Sequence, residues 1–294
     1  SSGELLALVS YPEYGSGVLS LGEDEKKIED FRNDVRKPFL NRAIAGLYSP
    51  GSIVKPFIAI GALEEEIISP EKQIMSTEFI SIPHPYFPDK KSIFKDWKAH
   101  GLVSMRDALA VSSNIYFYEI GGGFKDQRGL GIENIEKYMK MFGFGEKTGI
   151  YSQEILDEEY GVIPNPQWKE ENFPGDEWRI GDTYHTAIGQ YGFQVTALQL
   201  ARAVSAIANE GKLYTPTLLL GDGGQSDRAS VRKKHYQIVR EGMRQSVTDG
   251  TAKGLNISEV KVAAKTGTAQ LGTTKTYVNS LVVGFFPYDN PRYA

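Results

Sequence analysis

Segments with the alternating pattern of β-strands lie near both ends of the chain, and segments with helical periodicity lie between them. Residues 3–12 and 17–21 predict two short strands around a turn that contains Pro and Gly. Residues 260–270 and 278–287 predict two more strands. Since the order contains no internal repeat, it favours one compact unit in which the two chain ends build a mainly antiparallel sheet.

The predicted architecture is an α/β fold of the α+β type, in which this antiparallel sheet carries a large helical lobe. The sheet is expected from about residues 1–50 and 211–294, and the lobe from about residues 51–210, within a single domain of residues 1–294. A chain of 294 residues that is 40% hydrophobic and 24% charged can bury a full core.

The helices are predicted from apolar residues that recur every three or four positions. The clearest one follows a capping box at Thr196 and Gln199 and ends at Gly211. Another capping box, at Ser104 and Asp107, predicts a second helix. Further helices are predicted at 52–65, from 114 to about 121, at 132–142 and at 230–248, with loops at 69–100 and 151–185 and a turn at 222–228.

Composition narrows the functional classes. The net charge of −4 and the isoelectric point near 5.7 provide no broad basic surface, so a nucleic-acid partner is disfavoured. Cysteine is absent, which removes disulfides, thiolate chemistry and cysteine metal sites. The four histidines lack metal-ligand spacing, so neither a metal nor another cofactor is predicted. No apolar run reaches the ~18 residues of a membrane helix, so any membrane anchor is expected outside this chain.

A serine and a lysine three positions apart, Ser52 and Lys55, lie in the segment SPGSIVKPF. Residues at this spacing share one face of a helix. Pro56 follows directly, and because its ring clashes with the carbonyl four residues earlier, Ser52 is predicted at the beginning of the helix. Unpaired N–H groups and the positive end of the helix dipole suit both an oxyanion and a serine that loses its proton.

A lysine can act as a base only in its neutral form, and its reference pKa of about 10.4 makes it a cation at pH 7. Burial among apolar neighbours such as Ile53 and Phe57, together with a second cation nearby, would lower the pKa of Lys55. One copy of the Ser-x-x-Lys pattern identifies no site by itself. The pattern also occurs, in loops, charged segments or turns, at Ser69, Ser92, Ser230 and Ser258.

A predicted strand contains Lys265, Thr266, Gly267 and Thr268 in the segment AAKTGTAQ. The glycine allows another backbone to approach closely, the lysine supplies a cation, and the threonines supply hydroxyls for a carboxylate. The same Lys-Thr-Gly tripeptide occurs at residues 147–149, where a turn that closes a helix is the simpler explanation.

Ser112 and Asn114 form the only Ser-x-Asn in the chain, at the break between two predicted helices. Taken alone, they could simply be helix punctuation, since both side chains compete for backbone hydrogen bonds. The three patterns are more specific jointly, because their order and the predicted structure beneath each one agree. Ser-x-x-Lys, Ser-x-Asn and Lys-Thr-Gly form the set that serine β-lactamases and penicillin-binding proteins share.

Over almost all of its length, the chain resembles the transpeptidase domain of class B penicillin-binding proteins. The similar stretches include GELLALVSYPEY, LNRAIAGLYSPGSIVKPF, FGFGEKTGI and IGQYGFQVTALQLARAVSAIANEGKLYTP. GVIPNPQWK and GDTYHTAIGQ point to the elongation type, penicillin-binding protein 2. The resemblance implies a β-lactamase/transpeptidase-like fold, without the transmembrane anchor, the pedestal and the last C-terminal elements of such relatives.

The resemblance also implies a catalytic role for five residues. Ser52 would be the acylated nucleophile, and Lys55 would be its general base. Ser112 would help to shuttle protons, and Asn114 would hold the amide of the substrate. Lys265 would tune the electrostatics of the site.

Substrate binding is implied for the strand that carries Thr266, Gly267 and Thr268. The two threonines would bind the terminal carboxylate, and the backbone N–H groups of Ser52 and Thr268 would form the oxyanion hole. The family's substrate is the D-Ala-D-Ala end of a peptidoglycan stem peptide. The serine would take the acyl group, release D-Ala and pass the acyl group to an amine on a neighbouring stem.

The resemblance further implies inhibition by β-lactams and a membrane glycosyltransferase of the elongation machinery as partner. It implies a location on the outer face of the bacterial cytoplasmic membrane. Two stretches depart from the family pattern: TALQ at 196–199 replaces Thr-Pro-Leu-Gln, and GQYG at 189–192 replaces Gly-Gln-Gly. We expect altered loop geometry there with retained chemistry. The metal that some elongation-type relatives bind through Asp, His and Cys is not expected, because cysteine is absent.

Other functions remain open at this point. A β-lactamase would need a group for deacylation, which in one class is Glu-x-x-x-Asn, and no glutamate from Glu119 to Glu259 has asparagine four residues later. A β-lactam sensor or an inert cell-wall-binding module would keep the fold, although an inert copy would be expected to lose a motif residue. A D,D-carboxypeptidase would differ only in using water as the acceptor.

Overall fold

The computed structural model describes residues 2–22, 24–84, 86–87, 89–150, 158–221, 224–271 and 277–294. The helices are α1 (Ser16–Leu21), α2 (Glu25–Asn33), α3 (Lys55–Glu64), α4 (Met105–Val111), α5 (Asn114–Gly122), α6 (Ile132–Met141), α7 (Pro166–Asn172), α8 (Ile180–Ala187), α9 (Ala197–Ala208) and α10 (Lys233–Thr248), with 3-10 turns at Gly51–Val54 and Lys253–Leu255. The strands are β1 (Ile74–Ser76), β2 (Phe79–Pro83), β3 (Lys91–Lys95), β4 (Gly101–Val103), β5 (Lys212–Tyr214), β6 (Ser226–Arg228), β7 (Ala263–Leu271) and β8 (Tyr277–Phe285).

The strands of the described residues form four antiparallel pairs, β1 with β4, β2 with β3, β5 with β6, and β7 with β8. The longest pair is β7 and β8, in which Lys265 lies opposite Val283 and Thr268 lies opposite Ser280. Helices α10 and α9 pack against this pair, and the 3-10 turn at Gly51–Val54 packs against β7. The pair therefore forms one wall beside the beginning of α3.

Helix α3 lies in the centre of the core. Every residue from Lys55 to Leu63 is buried, including the lysine, and α5, α6 and α10 pack around the helix. Pro56 stands in the first turn of α3, and a 3-10 turn precedes it. This is the position that a proline tolerates, because its missing N–H would have no partner within the helix there.

The prediction of two N-terminal strands was wrong. Residues 17–21 belong to helix α1, which ends at Gly22 in the left-handed conformation. Residues 3–12 contribute a single parallel bridge, between Glu4 and Thr217. Among the described residues, none of residues 3–12 belongs to a strand. Apolar runs this short do not distinguish helix from strand, since neither period is repeated often enough.

The two long predicted loops also contain regular structure. Residues 69–100 include β1, β2 and β3, and residues 151–185 include α7 and part of α8. Pro85 and Pro88 of the first predicted loop, residues 151–157 of the second and residues 222–223 of the predicted turn lie outside the described residues. The predicted helices and the two C-terminal strands are confirmed, with ends that differ by a few residues, whereas residues 226–228 of the predicted turn form β6. In the part of the chain that the structure describes, no helix is both long and apolar enough to cross a membrane.

Candidate active site

The 3-10 turn at Gly51–Val54 places Ser52 one turn before Lys55. The backbone N–H of Lys55 donates to the Ser52 carbonyl, so the turn continues directly into α3. Gly51 precedes the serine with φ of 53°, and its N–H donates to the Gly189 carbonyl at 3.0 Å. The Ser52 side chain is half-buried, and its hydroxyl has no hydrogen-bond partner among the described residues.

Strand β7 approaches this turn so closely that no side chain fits between them. A Cβ atom at Gly267 would lie 2.6 Å from the Pro50 carbonyl oxygen and 2.6 Å from Ile53 Cγ1. A Cβ atom at Gly51 would lie 2.9 Å from the Thr268 carbonyl oxygen. The predicted reason for the glycine in Lys-Thr-Gly, a close backbone approach, is therefore observed, and it brings the serine turn beside the strand.

The amine of Lys55 is directed toward the second motif. Its Nζ donates to the Ser112 carbonyl at 2.8 Å and to Asn114 Oδ1 at 2.8 Å, and it lies 3.4 Å from Ser112 Oγ. The Phe117 ring centroid is 5.4 Å from the same nitrogen. Lys55, Ser112 and Asn114 therefore meet at one point, although 59 residues separate the first from the last.

Ser112 links the second motif to the third. It ends helix α4 in the left-handed conformation, with φ of 59° and ψ of 40°. Its Oγ accepts a hydrogen bond from Lys265 Nζ at 2.8 Å, and the same nitrogen donates to the Thr266 carbonyl at 2.8 Å. A left-handed non-glycine residue is uncommon and marks a backbone that its surroundings hold in place.

Both lysines are completely buried, and burial determines their charge. Desolvation lowers the pKa of Lys55 to about 7, against a smaller opposing effect of the Asp96 carboxylate. Desolvation also lowers the pKa of Lys265 far below its ordinary value, and the nearby Lys55 amine lowers it further. Because two ammonium groups on either side of one hydroxyl repel each other, we infer that at least one amine is neutral at pH 7.

The hydrogen bonds define what a neutral Lys55 can do. A neutral amine has two N–H groups and one lone pair, and the two carbonyl oxygens of Ser112 and Asn114 take both N–H groups. The lone pair then remains for a hydroxyl proton. Ser112 Oγ already accepts from Lys265, so its own proton can point to that lone pair. The arrangement can therefore accept a proton and pass it on.

The remaining motif residues lie along β7. Thr266 is half-buried, and its Oγ1 lies 2.6 Å from Thr251 Oγ1. Gly267 is buried, and Thr268 is exposed. The structure thus brings Lys55, Ser112, Asn114 and Lys265 together by hydrogen bonds, and it places Ser52, Thr266, Gly267 and Thr268 on the two segments that enclose them.

The motif copies that the sequence analysis set aside lie elsewhere. The lysines of the other four Ser-x-x-Lys patterns are all exposed, as is the lysine of the second Lys-Thr-Gly; they are Lys72, Lys95, Lys233, Lys261 and Lys147. Exposed lysines keep their hydration. Burial therefore separates the two site lysines from the five copies.

Motif reading missed Asp96, which lies directly after β3. Its Oδ2 accepts the backbone N–H groups of Asn114 at 2.8 Å and Ile115 at 3.1 Å, the first two residues of α5. The residue lies within a predicted loop, where a single aspartate carries no sequence signal. A capping role for a residue 18 positions before the helix is visible only in three dimensions.

Two further expectations concern loops and metals. In the GQYG stretch, Tyr191 has φ of 63°, a conformation that a non-glycine residue rarely adopts. Gly189 of the same stretch packs directly on Gly51.

Among the described residues, no group of three or more His, Cys, Asp or Glu side chains could hold a metal ion.

The chain also matches a known protein family and several known proteins. The family model "Penicillin binding protein transpeptidase domain" matches residues 1–294, and the chain belongs to this family. It is 32% identical to the peptidoglycan D,D-transpeptidase MrdA of Acinetobacter baumannii, over 100% of this chain and 45% of that protein. The chain thus spans about half the length of the curated relatives that it matches.

Solved structures of related proteins have a similar fold. The fold is similar to penicillin-binding protein 2 of Helicobacter pylori in its complex with MreC, with a TM-score of 0.86 and 33% identity over 98% of this chain and 52% of that chain. The fold is also similar to a chain of the solved structure "Structural coordination of polymerization and crosslinking by a peptidoglycan synthase complex". The two chains superpose with a TM-score of 0.80 and are 25% identical, over 99% of this chain and 49% of that chain. The predicted β-lactamase/transpeptidase-like fold and the likeness to penicillin-binding protein 2 are confirmed, whereas no strand from residues 2–22 or 24–50 joins the β7–β8 pair.

Proposed function

We propose that residues 1–294 form one catalytic domain of a peptidoglycan D,D-transpeptidase, which cross-links stem peptides through an acyl-enzyme at Ser52. The observation that carries this proposal is the meeting of two buried lysines at one serine hydroxyl. Lys55 Nζ and Lys265 Nζ lie 3.4 Å and 2.8 Å from Ser112 Oγ, next to the turn that presents Ser52. Such a costly burial of two amines is typical of an active site, where a shifted pKa is needed.

In the first half-reaction, Ser52 attacks the carbonyl of the D-Ala-D-Ala peptide bond. Neutral Lys55 takes the hydroxyl proton, and the backbone N–H groups of Ser52 and Thr268 stabilise the oxyanion. Collapse of the tetrahedral intermediate breaks the peptide bond. The departing D-Ala amine receives its proton through Ser112, whose hydroxyl lies between the two lysines.

In the second half-reaction, an amine of a neighbouring stem attacks the acyl-enzyme. Its proton leaves through the same groups in reverse, and the Ser52 oxygen is released as a hydroxyl. Asn114 would hold the amide of the donor peptide with the part of its side chain that Lys55 does not use. Thr266 and Thr268 would bind the terminal carboxylate, with Lys265 adding positive potential.

The cellular setting is proposed from the relatives. We place the domain on the outer face of the bacterial cytoplasmic membrane, where its stem-peptide substrate lies. A membrane glycosyltransferase of the elongation machinery is the proposed partner, since a similar structure belongs to a peptidoglycan synthase complex. The same acyl-enzyme chemistry predicts inhibition by β-lactams.

Covalent labelling tests the proposal. Incubation with benzylpenicillin should add the mass of one molecule to the wild-type protein and to the Ser69→Ala control, whose serine belongs to a pattern with an exposed lysine. Ser52→Ala should remain unlabelled. Equal labelling of the wild type and Ser52→Ala would refute the assignment, and rapid loss of the adduct would favour a β-lactamase.

A second measurement separates transfer from hydrolysis. With a stem peptide that ends in D-Ala-D-Ala and a second peptide with a free amine, a transpeptidase should release D-Ala and form a cross-linked product. Release of D-Ala with only the shortened peptide would identify a carboxypeptidase. Labelling by benzylpenicillin without turnover of the peptide would favour a β-lactam sensor.

A further inference from the structure

Asp96 has a completely buried side chain and carries several hydrogen bonds at the base of the site. Besides the two backbone N–H groups at the beginning of α5, its Oδ2 accepts from Ser113 Oγ at 2.9 Å and from Ser76 Oγ at 3.1 Å. Its Oδ1 accepts the backbone N–H of Trp97 at 2.8 Å. A buried carboxylate is stable only with such a set of donors.

These contacts complete the first turn of α5. The first N–H groups of a helix have no carbonyl partner within the helix. Here Asp96 binds those of Asn114 and Ile115, and Ser113 Oγ accepts the N–H of Tyr116 at 3.1 Å. The carboxylate also lies at the positive end of the helix dipole, which stabilises its charge.

The same segment holds the side chain of Asn114. The carbonyl oxygen of Lys95, the residue before Asp96, lies 3.4 Å from Asn114 Nδ2, and Asn114 Oδ1 accepts from Lys55. Residues 95 and 96 therefore fix both the backbone and the side chain of Asn114. The left-handed Ser112 precedes this turn by two residues, so its position depends on the same contacts.

We propose that Asp96 is a positioning residue for acyl transfer: its carboxylate fixes the first turn of α5 and thereby holds Ser112 and Asn114 against the Lys55 amine. The inference rests on the proposed function and adds to it a residue outside the three motifs.

The charges around Lys55 support this role. Lys265 faces it from β7, Asp96 from the segment after β3, and His100 from the segment before β4. His100 Nε2 is 3.9 Å from Asp96 Oδ1, and burial lowers the pKa of His100, so the ring is neutral at pH 7. Asp96 is the anion of this set, and it opposes the effect of burial by raising the pKa of Lys55.

Asp96→Asn tests the charge. The variant keeps an oxygen acceptor for the N–H groups of α5 and removes the anion. We expect the pH midpoint of Ser52 acylation by benzylpenicillin to move to lower pH, because loss of the anion lowers the pKa of Lys55 further. Ser76→Ala is the matched control, since it removes the hydroxyl that contacts both this carboxylate and Ser113 Oγ and leaves the charge. Its pH midpoint should equal that of the wild type.

Asp96→Glu tests the position. It keeps the charge and moves the carboxylate by one methylene, so the pH midpoint should stay and acylation should slow by about 10²-fold, the cost of a displacement near 1 Å in an active site. This variant also keeps the inference testable if Asp96→Asn does not fold. Melting temperature and the labelled fraction are measured for every variant.

Three results would overturn the inference. The first is wild-type acylation in both Asp96 variants. The second is a loss of signal that only follows the loss of folded protein, with an unchanged rate in the labelled fraction. The third is an unchanged pH midpoint in folded Asp96→Asn. Failure of the proposed function is distinct from these, because the wild-type protein itself would then carry no label at Ser52.

Discussion

The tripeptide Lys-Thr-Gly occurs twice in this chain, and the two copies have opposite environments. At residues 265–267 it lies on β7, with Lys265 completely buried and hydrogen-bonded to Ser112 Oγ. At residues 147–149 it lies in a loop after α6, with Lys147 exposed and its Nζ 5.1 Å from the centroid of the Tyr160 ring. The same tripeptide therefore holds a buried lysine with a lowered pKa in one place and an exposed lysine in the other.

The backbone of the two copies is held differently. In the loop copy, the Glu158 carboxylate accepts the N–H of Thr148 at 2.6 Å and that of Gly149 at 3.3 Å. In the strand copy, the ladder with β8 holds the backbone, and Gly267 faces the serine turn. A tripeptide acquires chemistry only where a second segment covers it, because desolvation requires neighbours on every side.

The largest contrast is expected from the two lysines. Lys265→Met should slow acylation of Ser52 on the order of 10²-fold, since it removes the donor to Ser112 and the positive potential of the site. Lys147→Met should acylate at the wild-type rate. The second-order rate constant with benzylpenicillin measures both, and equal rates for the two variants would show that burial of Lys265 serves folding alone.

Substitutions of the glycines in the two copies, Gly267 and Gly149, should have different effects: the first on the rate of acylation, the second on stability alone. Gly267→Ala should slow acylation by about 10-fold or more, because the new Cβ would displace the serine turn from β7. Gly149 has φ of 76° but room for a Cβ, whose nearest neighbour would be Thr215 Cγ2 at 3.5 Å. Gly149→Ala should therefore lower the free energy of unfolding by about 1–2 kcal/mol and leave acylation unchanged. A slow Gly149→Ala variant would contradict this distinction.

Burial of the site lysines also predicts a dependence on pH. Acylation should increase as pH rises through about 7, the folded-state pKa of Lys55. The unfolded chain binds this proton up to its ordinary pKa of 10.5, so between about 7 and 10.5 the unfolded state holds more protons and stability should rise with pH. The unfolding free energy of Lys55→Met minus that of the wild type should therefore decrease over this range, because only the wild type gains stability while its unfolded chain holds the additional Lys55 proton. The corresponding difference for Lys147→Met should stay constant, and a constant difference for both would place Lys55 outside the buried pocket.

The threonines should give the smallest effects. Thr266→Val removes the hydroxyl beside Thr251 and should slow acylation by less than about tenfold, since one hydrogen bond contributes about 0.5–1.5 kcal/mol. Thr148 Oγ1 is buried and has no hydrogen-bond partner among the described residues. Thr148→Val should therefore leave acylation unchanged and raise the free energy of unfolding by up to about 1 kcal/mol. Thermal unfolding and labelling kinetics check both, and a destabilised Thr148→Val would point to a partner for that hydroxyl.

Local signals predicted much of the fold. The capping boxes at Ser104 and Thr196 both form as expected, because their partners lie only three residues away. Pro56 limits the start of α3 in the same local way. The strand predicted at 17–21 was wrong, because five residues between two glycine-containing turns carry too little periodicity to exclude a helix. Asp96 was missed because its donors lie on β1 and α5, and no local pattern reports such contacts.

The sequence by itself determined where the capped helices α4 and α9 begin, which serine stands at the start of α3, and the order of the three motifs. These features depend on neighbours within about four residues, so the chain encodes them locally. Only the tertiary structure decided which lysines lose their water. Lys55 and Lys265 are 0% exposed because α5, β7 and the serine turn close over them, whereas identical residues in similar short patterns remain on the surface. The chemistry of the site follows from that desolvation, which is a property of the packed molecule.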